Sequence, residues 1–215
     1  IGNIYGLLGQ NGVGKTTLLK LMSGLLKSDQ ETCTVNGCHP YKRKPDFLQD
    51  IYFLPEEPAC PLGTVAHFAQ NNGSFYPSYD KEYFYELLDR FEVDPEKRFR
   101  DLSAGQLKKA YVSYALALNT KILLLDEPSN GMDIPSKTVF RSIVSGQINE
   151  GRLIVISTHQ VRDLENLIDP IIILDRKDVL LHASIEEIAQ KVCFINAADK
   201  QDDCPLSTSD ASAEK

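Results

Sequence analysis

Short, nearly continuous apolar runs separated by longer amphipathic stretches organise most of the chain. Ile4-Tyr5-Gly6-Leu7-Leu8, Ile51–Leu54, Ile122–Asp126, Leu153–Ser157 and Ile171–Leu174 are such runs. Aliphatic runs of this length predict strands buried on both faces. Apolar positions recur at helical spacing between the later runs. After Pro135, the residues Val139, Phe140, Ile143, Val144 and Ile148 fall in helical register, with Asp133 and Pro135 as start signals. Leu18, Leu19, Leu21, Met22, Leu25 and Leu26 predict another helix from Thr16 to about Leu26. The alternation predicts an α/β fold, a mostly parallel sheet flanked by helices.

Residues 56–105 interrupt this rhythm. They are rich in Pro, Phe and Tyr, and Tyr83–Phe91 has a helical pattern with Leu87 and Leu88 inward. The expectation is a small helical subdomain inserted into a core built by 1–55 and 106–190. Phe75-Tyr76-Pro77-Ser78-Tyr79 is expected to pack inside that insertion. After Val192 the chain turns polar, and Asp199–Lys215 holds no aromatic residue, so 191–215 reads as a flexible tail.

Between the first strand and the first helix, Gly9-Gln10-Asn11-Gly12-Val13-Gly14-Lys15-Thr16 fits the phosphate-loop spacing of Gly, four residues, then Gly-Lys-Ser/Thr. Glycines let successive N–H groups turn inward, and the following helix start adds unpaired N–H groups and a positive dipole end. Lys15 supplies a point charge for the β/γ-phosphates, the Thr16 hydroxyl a ligand for Mg²⁺, and Thr17 completes the candidate nucleotide site. Further on, Ile122–Leu125 runs into Asp126-Glu127-Pro128. A buried strand that ends in two acids behind a phosphate loop places Asp126 to hold Mg²⁺ and Glu127 to polarise an attacking water.

Leu102-Ser103-Ala104-Gly105-Gln106 opens a helix whose apolar positions are Leu107, Ala110, Tyr111, Tyr114 and Leu118. Ser103 and Gln106 have capping-box spacing, and a capped helix start beside a glycine suits an anion. With the phosphate loop before it and Ile-Leu-Leu-Leu-Asp-Glu-Pro after it, Leu-Ser-Ala-Gly-Gln resembles the signature motif of ABC ATPases, usually Leu-Ser-Gly-Gly-Gln. Ser129-Asn130-Gly131-Met132-Asp133 is similar to that family's D-loop, and His159 in Ile-Ser-Thr-His to its switch histidine. The resemblance spans roughly residues 1–182.

The resemblance implies a P-loop NTPase fold, binding of ATP with Mg²⁺, and ATP hydrolysis with Glu127 as general base and His159 at the γ-phosphate. It also implies a head-to-tail dimer, either a homodimer or a pair with a related ATPase subunit. In that dimer Ser103, Ala104, Gly105 and Gln106 face the partner's ATP, and Asp133 lies in the D-loop. The motor implied would drive a separate transmembrane permease from the cytoplasmic face of the plasma membrane. Phe75–Gly105 is most similar to stand-alone subunits of small exporter systems. Two alternatives are a soluble ABC ATPase acting on DNA or ribosomes, and a nucleotide-binding regulator without turnover.

Three departures from the family pattern stand out. Glu56 occupies the place of a Gln that usually touches Mg²⁺; its carboxylate can still be a ligand. Ala104 replaces the first signature glycine. The chain opens at Ile1-Gly2-Asn3, upstream of which the family carries its adenine-stacking aromatic, so an N-terminal truncation is expected.

Composition narrows the partners. A formal net charge of −7 argues against a broad nucleic-acid-binding face. No apolar run approaches the ~20 residues of a membrane-spanning helix. Five cysteines without a CxxC pair read as reduced intracellular thiols, and Cys33-x4-Cys38-His39 lacks the second ligand pair of a metal site.

Overall fold

Each buried apolar run becomes a strand, and the period of two divides its side chains between two cores. The computed structural model describes residues 3–29, 32–147, 151–164, 167–176 and 178–191. The strands are β1 (Asn3–Leu8), β2 (Ile51–Leu54), β3 (Ile122–Asp126), β4 (Leu153–Thr158), β5 (Ile171–Asp175) and β6 (Asp178–Ala183). They form one sheet in the order β2-β3-β4-β1-β5-β6, parallel throughout except for β6, which runs antiparallel to β5. The parallel pairs need crossovers, and helices supply them. Between β1 and β2 lie α1 (Lys15–Met22) and α2 (Pro45–Asp50). Between β2 and β3 lie α3 (Val65–Gly73), α4 (Lys81–Arg90) and α5 (Ala104–Ala117). Between β3 and β4 lies α6 (Ile134–Ser145), and α7 (Ile185–Lys191) follows β6.

On one face, Leu7, Ile122, Leu124 and Val155 pack with Leu19 of α1 and Phe47 of α2. On the other, Ile4, Leu8, Leu123, Leu125, Ile154 and Ile156 pack with Phe84 and Leu87 of α4, Leu116 of α5 and Phe140 of α6. This second core also takes in Val65, Ala69 and Phe99 from the segment between β2 and α5. Burial on both sides explains why the central strands read as continuous apolar runs rather than alternating ones.

The helix expected to reach Leu26 stops at Met22. The Ser23 N–H still bonds to the Leu19 carbonyl, but Gly24 then takes a left-handed φ of 74° and turns the chain. A Cβ at Gly24 would strike the Pro40 carbonyl, and Leu25 and Leu26 are left exposed. Phe75 departs as well: Tyr76 and Tyr79 pack against the core, whereas Phe75 is 70% exposed. The Tyr83–Phe91 pattern appears as α4, capped by Asp80 accepting from the Tyr83 N–H at 2.9 Å, with Leu87 and Leu88 buried. Ile148 and the tail beyond Lys191 lie outside the described residues. No helix among the described residues is long and apolar enough to cross a membrane.

Candidate functional site

Parallel pairing brings the chemistry to one edge of the sheet. Leu8 pairs with Thr158 and Asp126 with Ser157, so the loops leaving β1, β3 and β4 emerge side by side. Beyond the carboxyl ends of parallel strands is where open α/β sheets bind ligands.

The loop after β1 wraps into the start of α1. Gly14, the N-cap of α1, has φ 111°, a conformation that a side chain strongly disfavours. Gln10, Asn11 and Gly12 are exposed, Val13 closes a turn onto the Gln10 carbonyl at 3.4 Å, and Thr17 is exposed on the first turn of α1. Lys15 is buried: its Nζ donates to the carbonyls of Gly9 at 2.7 Å and Gln10 at 3.2 Å, folding the side chain back under the loop. Gly9, Gln10, Asn11 and His159 border a depression of about 450 Å³.

Asp126, at the end of β3, is held at both oxygens. Thr16 Oγ1 donates to its Oδ2 at 2.6 Å, and the Ser157 hydroxyl donates to its Oδ1. A hydroxyl and a carboxylate in contact are hard oxygen donors that suit Mg²⁺. Glu127 follows with φ 45°, unusual for a residue with a side chain. Its N–H bonds to Ser157 at both the carbonyl (3.1 Å) and the hydroxyl (3.2 Å), which fixes this turn. The buried Glu127 carboxylate meets His159 Nδ1 at 2.8 Å and lies 3.9 Å from Lys15 Nζ.

The start of α5 carries a complete capping box. Ser103 Oγ accepts from the Gln106 N–H at 3.2 Å, and Gln106 Oε1 accepts from the Ser103 N–H at 3.3 Å. Ala104 is the first helical residue, and a Cβ on Gly105 would sit 3.2 Å from the Gly131 carbonyl, so α5 begins against the loop after β3. At the end of that loop, Asp133 caps α6 by accepting from the Ser136 N–H at 2.8 Å, with Lys109 Nζ 3.9 Å away. The Ser136 hydrogen bonds, with Lys109 assisting, hold the Asp133 carboxyl below the ordinary carboxylate range.

Glu56 lies in the loop after β2. Its Oε1 accepts from Asn130 Nδ2 at 2.8 Å, and its backbone carbonyl accepts from Lys108 Nζ. Among the described residues, no three His, Cys, Asp or Glu side chains gather as a metal site. Thr16 and Asp126 are thus brought together, as are Lys15, Glu127 and His159, while Ser103 and Ala104 are exposed at the start of α5. Sequence reasoning missed Ser157, which orients both acids; a serine closing an aliphatic strand beside two carboxylates was the available signal. It also missed Lys108, which looked like an ordinary charged position on a helix.

Residues 1–130 match the ABC transporter family. The chain is 29% identical over 199 residues to the ABC transporter ATP-binding protein YtrB of Bacillus subtilis, which covers 92% of this chain and 68% of that protein. It is 30% identical over 207 residues to the ABC transporter ATP-binding protein NatA of Bacillus subtilis, covering 87% of this chain and 79% of NatA. A solved dimeric structure of a post-hydrolysis state of the ATP-binding cassette MJ0796, bound to ADP and Pi, superposes with a TM-score of 0.72 at 21% identity, over 85% of each chain. The match to more than half of the chain, together with the phosphate loop, the acid pair and the capped Ser103 helix, assigns it: the chain belongs to the ABC transporter family and is one of its ATP-binding ATPase domains.

Proposed function

We propose that the chain works as the motor subunit of a transporter, pairing head to tail with a second copy or a related ATPase subunit. In this reading each ATP lies between the phosphate loop of one subunit and the Ser103–Gln106 helix start of the other. Gly9, Gly12, Gly14 and the loop amides cradle the phosphates, and Lys15 exchanges its two carbonyl partners for β/γ-phosphate oxygens. Thr16 and Asp126 hold Mg²⁺, which neutralises phosphate charge when bound. Glu127 accepts the proton of the attacking water, and His159 holds its carboxylate at the γ-phosphate side. Asp133 lies at the partner's boundary, and Glu56 reports on the nucleotide from the loop after β2.

The observation that supports this best is Glu127 Oε1, placed between His159 at 2.8 Å and Lys15 at 3.9 Å beside the phosphate loop. An acid so placed has an orienting partner on one side and a phosphate-binding cation on the other, the arrangement a general base needs. The capped and exposed Ser103 helix start supports a composite site, because a capped helix N-terminus open to solvent can take an anion carried by a second subunit.

A separate membrane permease would take up the work of closing and reopening, with the chain attached peripherally at the cytoplasmic face. The similarity of YtrB and NatA, both described as ABC transporter ATP-binding proteins, supports that partner. Export is the direction we favour, from the resemblance of Phe75–Gly105 to subunits of small exporters. Light scattering of the Glu127→Gln variant with Mg²⁺-ATP tests the composite site: a dimer is expected, and a monomer at saturating nucleotide would exclude it.

A further inference from the structure

We propose that Lys108 is a positioning residue of the nucleotide site, a buried cation that ties the loop after β2 to the Ser103 helix and offsets the negative charge of Glu56. The proposal rests on the reading of this site given above.

The placement of Lys108 is costly. It is 5% exposed, although a lysine is rarely buried without a partner. Its Nζ donates to the Glu56 carbonyl across 52 positions of sequence. That contact anchors the loop after β2 to the helix that carries Ser103–Gln106.

The charges around it explain why a cation is kept there. Burial lowers the affinity of the Lys108 amine for its proton, while Glu56, Asp126, Glu127 and Glu57, in that order, raise it. Of these acids, Glu56 is the one whose backbone Lys108 also contacts directly. The Glu56 carboxylate is itself held by Asn130, from the loop that leads to Asp133. Lys108 and Asn130 thus grip Glu56 from two sides, one through its backbone and one through its side chain. Lys108 and Lys15 are two buried lysines placed near these acids.

The consequence is a specific coupling. Removing the cation should matter because Glu56 is charged, so neutralising Glu56 should largely suppress the defect. The test is a double-mutant cycle in the full chain: wild type, Lys108→Met, Glu56→Gln and the double variant, with Lys108→Arg as the charge-conserving control. Binding of ATP without Mg²⁺ is titrated with a fluorescent ATP analogue in competition with ATP. Lys108→Met is expected to weaken binding by about fivefold or more, Lys108→Arg by less than about twofold, and Lys108→Met in the Glu56→Gln background by less than about twofold. Equal losses in both backgrounds, or no loss in either, would overturn the proposal.

If Lys108→Met fails to fold, Lys108→Gln is read by thermal unfolding alone and with Glu56→Gln. A smaller Tm loss in the neutral background is expected, and identical losses refute the coupling. Lys15→Ala separates the two levels of the argument. If Lys15→Ala binds ATP as well as wild type, the reading of the site fails. If Lys15→Ala loses binding while the cycle is additive, only the role of Lys108 fails.

Discussion

His159 Nδ1 lies 2.8 Å from Glu127 Oε1, joining the residue that follows β4 to the residue that follows β3. A carboxylate only accepts, so Nδ1 is the donor of this bond, and Nε2 lies 3.2 Å from the Gln160 side-chain amide nitrogen. The imidazole is thereby fixed at both nitrogens, and it fixes the acid in turn. In the proposed mechanism the histidine orients the base and is not itself asked to take the water's proton.

His159→Ala should therefore lower kcat with little effect on nucleotide binding. Loss of an oriented base typically costs ~10²-fold or more, and loss of its orienting partner about tenfold to a hundredfold. Steady-state kinetics that separate kcat from KM check this. A kcat within a factor of two of wild type would remove His159 from the mechanism.

Lys15 is the second partner of the same carboxylate, and its buried Nζ spends its hydrogen bonds on the Gly9 and Gln10 carbonyls. Bound phosphate would give those protons charged acceptors in place of neutral ones. Charge-assisted contacts are worth about 1.5–3 kcal/mol each, so Lys15→Ala should reduce ATP affinity or turnover by about tenfold or more. Calorimetric titration with ATP measures it, and unchanged affinity with unchanged turnover would rule out this loop as the phosphate cradle.

What the sequence made legible was what local chemistry fixes. Leu123 and Leu125 face one core while Ile122 and Leu124 face the other, so β3 had to read as an unbroken apolar run. The Ser103 and Gln106 spacing gave the capping box for the same reason, since both partners lie within one turn. Features that depend on distant parts of the chain were not readable. Leu25 and Leu26 continue the helical period of α1, yet the Pro40 carbonyl against Gly24 decides where the helix ends. β6 was missed because only Leu181 and Ala183 within it are even partly buried, leaving no alternation to detect. In the site, the order Asp126-Glu127 was plain, but the left-handed turn at Glu127 and the Ser157 contacts that hold it come from a strand 30 positions away.

Tyr114 gives a prediction about stability rather than chemistry. Its ring packs edge-on against Phe68, Tyr52 and Phe84, with centroids 5.1, 5.8 and 6.3 Å away. Its hydroxyl is buried without a hydrogen-bond partner among the described residues, and burial pushes its ionisation well above the ordinary tyrosine range. A buried hydroxyl with no partner costs about 1–3 kcal/mol, whereas the ring contacts need no hydroxyl. Tyr114→Phe should thus raise the unfolding free energy by about 1 kcal/mol, seen as a higher midpoint in denaturant at an unchanged slope. A lower midpoint would mean that the hydroxyl has a partner in solution.

The composite site makes the most demanding prediction, because it requires one acid and one helix start to act in different subunits. Glu127→Gln keeps the size and the acceptor oxygen of the side chain but removes its capacity to take a proton. Turnover should fall by about 10²–10⁴-fold, the usual cost of losing a positioned base. Nucleotide binding should survive, since Lys15, Thr16 and Asp126 keep their places, with Thr16 still 2.6 Å from Asp126. If hydrolysis is what reopens the pair, the Glu127→Gln protein should then accumulate as a dimer with Mg²⁺-ATP and return to monomer when nucleotide is withdrawn. Ser103→Arg should abolish that dimer: Ser103 Oγ is the cap of α5, accepting from Gln106 at 3.2 Å, and a guanidinium there brings bulk to the face offered to the partner's phosphates. Losing the cap alone costs about 1 kcal/mol, so the Ser103→Arg chain should still fold and its own Lys15 loop should still bind ATP. Gel filtration of Glu127→Gln with and without Ser103→Arg, alongside nucleotide titration of both, separates a lost dimer from a lost site. A dimer that persists in the double variant would place the contact elsewhere, and a monomer throughout with intact turnover would sink the composite mechanism.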